Sequence, residues 1–170
     1  MDFMSDTLVS GRRIRVLNII DDYNREALLV QPKTTFPSEY VVNALEDIIF
    51  YRGKPEHIRV DNGPEFTSVA FVNWCNEQGI QIKYIQPGKP VQNAYIERFN
   101  RLYREDVLDA YIFSDLEQVR FISEKWQEDY NENHPHGSLN GISPRQYARM
   151  NEKLTNEQEY LLKLSNYSLS

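Results

Sequence analysis

Short apolar runs of β type come first along the chain, and the apolar pattern then changes to a helical period. "IRVLNII" (residues 14–20) and "EALLVQ" (26–31) read as β-strands, since branched aliphatic side chains suit a pleated surface. "DDYNR" between them supplies turn chemistry, so the two form a hairpin. "MDFMSDT" predicts a strand ahead of them, paired through a turn at Ser10 and Gly11. Past Pro37, the residues Val41, Val42, Leu45, Ile48 and Ile49 recur at helical spacing, and Gly53 and Pro55 stand where such a helix stops. "HIRV" (57–60) reads as a short strand ending at Asp61, "TSVAFVNWCNEQG" as a helix closed by Gly79, and "IQIKYI" as a fifth strand.

Strand and helix take turns over that second stretch, which calls for parallel pairing across helical crossovers. One further helix is expected from about Gln92 to Leu108. Another opens at Ser114, where Ser114 and Glu117 have the spacing of a capping box, and Leu116, Val119, Ile122, Trp126 and Tyr130 form its apolar stripe. The order β-β-β-α-β-α-β-α-α predicts an α/β domain with a five-stranded mixed sheet and flanking helices. That is the order of the ribonuclease H-like fold. The domain is expected over residues 1–150, with 151–170 a helical or partly disordered extension.

Composition narrows the class. With 170 residues, 41% hydrophobic and 26% charged, seven glycines and eight prolines, the chain reads as globular and neither fibrous nor disordered. No apolar run approaches the roughly 20 residues of a membrane span, and "MDFMSDTLVSGRR" lacks the basic-then-apolar order of a signal peptide, so a cytoplasmic protein is expected. Cys75, the sole cysteine, excludes an internal disulfide and a thiolate zinc cluster and is expected to pack in the core. The net charge of −6 argues against a phosphate-rich partner. Its distribution reverses that: residues 105–135 hold nine acids and two bases, a net of −7, so the remainder carries +1. Lys89, Arg98, Arg101 and Arg104 cluster in one stretch, where a local basic surface is available.

Two acids stand in suggestive places, and each has a plainer reading. Asp61 in "RVDNGPEF" follows a strand, where open α/β sheets place ligand-binding groups, but Asp-Asn-Gly is also a common turn sequence. Glu97 enters a helix after "QPGKPVQ". On a helical wheel Asn93, Asn100, Arg101 and Arg104 fall within about 60° of it. The plainer reading makes Glu97 and Arg101 an exposed i,i+4 pair. The Pro-Gly-Lys-Pro loop and the run of basic residues favour instead a face that serves a metal and a phosphodiester together. A further carboxylate at the strand ends has four candidates, Asp2, Asp6, Asp21 and Asp22, and composition does not choose among them.

"MDFMSDTLVSGRRIRVLNIIDDYNREALLV", "RGKPEHIRVDNGPEF", "IQIKYIQPGKPVQNAYIERFN" and "YNENHPHGSLNGISPRQY" resemble the catalytic core of bacterial insertion-sequence transposases of the OrfB type, relatives of retroviral integrase. The resemblance spans residues 1 to 148 and makes 1–150 an integrase-type catalytic core. It implies the catalytic triad Asp2, Asp61 and Glu97, and thirty-five residues separate the last two, as in that family. It implies that Asp21 is not a metal ligand and that Arg104 contacts the DNA end. Lys89, Asn93 and Arg101 are expected to join Arg104 on DNA. Two features depart from the pattern. The family has residues ahead of its first aspartate, including a DNA-recognition region, whereas only Met1 precedes Asp2 here; a shortened first strand and a loosely held Asp2 are expected. His134 stands where arginine is usual, and His134 and His136 read as structural, with no third metal ligand in range.

The chemistry follows from the carboxylates. Three of them at one end of a sheet raise one another's pKa, and a divalent cation relieves that. Mg2+ suits an oxygen-only site, with Mn2+ expected to substitute. Two ions about 4 Å apart serve an in-line displacement at phosphorus, with Asp2 and Asp61 as ligands, Asp61 as the bridge and Glu97 on the second ion. Water as attacker gives strand nicking, and a DNA 3'-hydroxyl gives strand transfer. The resemblance implies both, on the ends of the element itself. It also implies a homo-oligomer on DNA, near the nucleoid, with the recognition region supplied in cis or in trans. Two alternatives stay open: a ribonuclease H-like nuclease without strand transfer, and a non-catalytic remnant that binds DNA or partner subunits.

Overall fold

The computed structural model describes residues 1–86 and 93–152. Three antiparallel strands open the fold: β1 (Asp2–Thr7), β2 (Arg13–Ile20) and β3 (Ala27–Lys33), in the order β1-β2-β3. Gly11 takes φ 81° in the first turn. At the β2–β3 hairpin the register shifts between Ile19 and Ile20. Then follow α1 (Ser38–Arg52), β4 (His57–Val60), α2 (Pro64–Thr67), α3 (Val69–Gln78) and β5 (Gln81–Tyr84), and β4 and β5 pair in parallel. The second half holds α4 (Ala94–Tyr103), continued by a π-helical turn Arg104–Leu108, then α5 (Leu116–Asn133) and a helix α6 over 144–152.

Strict alternation in β2 buries both faces of the sheet. Ile14 and Val16 join Met4, Val30, Ile96, Phe99, Tyr103, Val119 and Tyr130 in one core. Leu17 and Ile19 join Phe36, Val41, Leu45, Phe66, Phe71 and Trp74 in the other. A period of two therefore sorts neighbouring residues into separate cores, with α4 and α5 on one side and α1 and α3 on the other. Cys75 lies fully buried in the second core.

Several expectations need correction. The strands form a three-stranded and a two-stranded sheet, not one five-stranded sheet. The Met1 amine donates to the Arg59 carbonyl at 2.8 Å, so β1 lies beside β4. The helix expected over "TSVAFVNWCNEQG" is divided at Ser68, which has an extended backbone and caps α3 with its Oγ accepting from Phe71 N; Gly79 closes it at φ 66°. The cap of α5 is Asp115, which accepts from Gln118 N at 3.0 Å, while Gln118 Oε1 accepts from Ser114 N. Glu117 pairs with Arg120 instead of closing a capping box on Ser114. The helix expected over 92–108 is α-helical from Ala94 to Tyr103 and then widens, Asp109 N donating to Arg104 O. That extra residue in the turn brings both Val107 and Leu108 into the core.

Candidate active site

Asp2 opens β1 opposite Asn18 of β2. Asp2 and Met4 share one face of β1, and Ile14, Val16 and Asn18 share the same face of β2, the face covered by α4. Asn18 is fully buried in β2, between Leu17 and Ile19, so its amide needs a partner. Asn100 of α4 supplies it: Asn18 Nδ2 donates to Asn100 Oδ1 at 2.8 Å, and Asn100 Nδ2 donates to Asp2 Oδ2 at 2.8 Å. Asp2 Oδ1 accepts from Phe3 N at 2.8 Å. Asp2 is thus held at both oxygens, in contrast to the loose hold expected from its place at the chain start. Burial raises its carboxyl above the ordinary range, and the nearby charge of Asp61 raises it further.

Asp61 follows β4, is exposed, and accepts from Gly63 N at 2.9 Å. The turn reading of Asp-Asn-Gly therefore holds structurally, and Asp61 is near enough for its charge to act on Asp2. The other aspartates have partners of their own. Asp6 accepts from Thr7 N and faces Arg104. Asp21 accepts from Tyr23 N at 2.8 Å, and Asp22 pairs with Arg59 at 2.7 Å. Glu97 is exposed in the first turn of α4. Among the described residues no three acidic, histidine or cysteine side chains converge closely enough to hold an ion. Of the three, Asp2 and Asp61 are linked by the charge of Asp61 acting on Asp2. The paired donors are oxygens in mutual repulsion, one of them desolvated, which fits a hard divalent ion such as Mg2+.

The polar face of α4 is not simply solvated. Asn93 and Asn100 are buried, Arg101 is exposed, and Arg104 donates to Ser5 O at 2.9 Å and lies near Asp6 and Asp109. Lys89 and the Pro-Gly-Lys-Pro loop lie outside the described residues. Asn18 and Asn100 were missed as members of the site. An asparagine in the middle of "IRVLNII" was the available signal, because a buried amide requires a polar partner.

Comparison with known proteins agrees with this architecture. A family model described as integrase core domain matches residues 1–90, and a second of the same description matches residues 78–144. The chain is 40% identical over 148 residues to the uncharacterized 31.7 kDa protein of insertion element IS407 from Burkholderia multivorans, covering 87% of this chain and 53% of that protein. It is 42% identical over 148 residues to the uncharacterized 39.2 kDa protein of insertion element IS476 from Xanthomonas euvesicatoria, covering 87% and 43%. It spans about half the length of these relatives.

Among solved structures, the HTLV-2 integrase catalytic core domain in complex with magnesium superposes with a TM-score of 0.63 at 20% identity, covering 86% of this chain and 94% of that one. A chain of a simian T-cell lymphotropic virus intasome in complex with the PP2A regulatory subunit B56 gamma gives 0.69 at 17% identity, covering 86% and 51%. The fold is thus the ribonuclease H-like α/β fold of retroviral integrase cores. The chain belongs to the integrase core domain family and is similar to proteins of bacterial insertion elements, as its motifs implied.

Proposed function

We propose that the chain is the catalytic core of a transposase that cuts and joins DNA by metal-dependent phosphoryl transfer at the ends of its own element. One observation carries the reading: Asp2 and Asp61 lie close enough for the charge of Asp61 to raise Asp2, with Glu97 thirty-five residues after Asp61 at the start of α4. Asp2, Asp61 and Glu97 are the catalytic carboxylates of this reading and would hold Mg2+ or Mn2+. Divalent cations bound there would supply an activated attacking oxygen and charge relief at the leaving one.

The chain's own groups do the rest. Asn100 orients Asp2, and the turn at Gly63 orients Asp61. Lys89, Asn93, Arg101 and Arg104 are the DNA contacts of this reading. Its partners are element-end and target DNA and further copies of the chain, with end recognition from a region supplied in cis or in trans.

The test is incubation of the chain with labelled element-end duplex and Mg2+ or Mn2+, resolving nicked from joined products. Both products are expected, and both disappear in Asp61→Asn and in Glu97→Gln. Unchanged cleavage by Glu97→Gln overturns the catalytic assignment. Nicking without joining favours a ribonuclease H-like nuclease, and no metal-dependent cleavage by the wild-type chain favours a remnant that only binds.

A further inference from the structure

We propose that Arg25 and Arg98, with His136 beside them, form a phosphate-binding site that grips one backbone phosphate of a DNA strand. The inference rests on reading the chain as a DNA-processing core and adds a site made by none of its three carboxylates.

Arg25 occupies the β2–β3 hairpin at φ 64°, a left-handed conformation that few non-glycine residues adopt. Its half-buried side chain lies over the Tyr95 ring, the guanidinium carbon 3.5 Å from the ring centroid. Its Nε and Nη1 are buried and have no hydrogen-bond partner. Arg98 stands three residues after Tyr95, on the same side of α4, and is exposed. Neither arginine makes an ion pair among the described residues. His136 feels the charge of both arginines, and its Nε2 is also buried and unpartnered. Two guanidinium groups therefore act on one imidazole, and neither is ion-paired among the described residues.

The aromatic ring packed on His136 brings no negative charge. The Tyr130 ring stacks on His134 with centroids 5.3 Å apart and meets His136 edge-on at 5.3 Å, and its hydroxyl donates to the Arg25 carbonyl at 3.0 Å. Burial pushes the Tyr130 phenol up, so that it stays neutral. Burial, His134 and the two arginines push His136 down to about 4, so the imidazole is neutral too. Glu26, next to Arg25, pairs with Arg52 and Arg145, Asp106 and Asp129 act on His134 and accept from Trp126 Nε1 and Asn133 Nδ2, and Glu97, beside Arg98, is exposed. A desolvated guanidinium with idle N–H groups is costly unless an anion meets it. A phosphodiester answers that need, since it is always charged and offers enough oxygens for two guanidinium forks. Arg98 directly follows Glu97, so a strand lying along α4 past the carboxylates reaches this site. Free inorganic phosphate shares the chemistry and is separated from DNA by experiment.

The test is duplex binding by the 170-residue chain, followed by fluorescence anisotropy in EDTA across a KCl series, where cleavage plays no part. Arg98→Gln is expected to reduce the slope of log affinity against log salt by about 0.9, the loss of one phosphate contact. Arg25→Gln should do the same, and the double variant should lose no more than either alone, because both residues hold one phosphate. Arg98→Lys should keep the slope. Arg98 is on an exposed helix face, so its variant serves where Arg25→Gln fails to fold. Unchanged slopes in folded Arg98→Gln overturn the proposal. So does protection of the wild type, but not the double variant, against heat by inorganic phosphate alone with the DNA slope unchanged. The catalytic reading fails separately: a reduced slope together with cleavage that survives Glu97→Gln leaves this site standing and removes the other.

Discussion

Asn100 of α4 donates its amide to Asp2 at 2.8 Å while accepting from Asn18 of β2 at the same distance. The helix is thereby clamped to the first carboxylate through a buried amide relay. Asn100→Ala is expected to weaken metal-supported cleavage about 10–100-fold, the usual effect of removing a group that orients a metal ligand. It also strips Asn18 of its amide partner, leaving only the Met4 sulfur at 3.3 Å, at a cost of about 1–3 kcal/mol. A Mg2+ titration of cleavage and a urea melt read the two effects separately. Lost stability with an unmoved Mg2+ titration would leave Asn100 a structural residue only.

Gly63 carries a specific steric demand. A Cβ there would stand 2.9 Å from Asp61 Oδ1, closer than such contacts allow, although the backbone at φ −60° admits alanine. The flexible partner gives way, so Gly63→Ala should turn the Asp61 carboxylate while leaving the melting temperature nearly unchanged. Cleavage is expected to fall about 100-fold, as for misplacements near 1 Å. Steady-state cleavage beside a thermal melt checks it, and full activity would show that the turn does not aim Asp61.

Asp2 carries a cost that a neutral side chain would not. Its carboxyl is raised above 3.8 by burial and by Asp61, so folding favours the protonated form. The stability this brings is present below pH 3.8 and is lost as pH rises through the higher folded value. Asp2→Asn should therefore melt higher than wild type at pH 7, with the difference vanishing toward pH 3. Mg2+ should raise the melting temperature of the wild type and not of the variant. Melts across that pH range, with and without Mg2+, test both statements; a variant that melts lower at pH 7 would contradict the first.

Cys75 should be inert. It is fully buried, and burial pushes its thiol up to about 11, so at pH 7.5 both thiolate and access are scarce. Native chain is expected to resist a thiol-reactive dye for hours and to react with one equivalent within minutes in guanidinium chloride. Rapid labelling of native chain would show that the core around Trp74 and Phe71 opens readily.

Much of the fold was legible because short-range physics fixes it. Gly11, Gly53 and Gly79 mark turns and a helix end, and alternation in "IRVLNII" located β2. The misreadings share one cause. Ser114 and Asp115 are both good caps, and backbone geometry chose Asp115. The run "TSVAFVNWCNEQG" has one helical period, yet Ser68 interrupts it with an extended residue that no period reveals.

By itself, the sequence determined the strand and helix order and the thirty-five-residue spacing of Asp61 and Glu97, properties of neighbours along the chain. The tertiary structure alone decided that Asn100 faces inward to Asp2, that Arg104 is drawn onto β1, that the strands divide three and two, that β2 buries both its faces, and that Arg25 lies over Tyr95. Periodicity says which residues share a side of an element. It does not say what lies opposite, and that is set by how the elements pack.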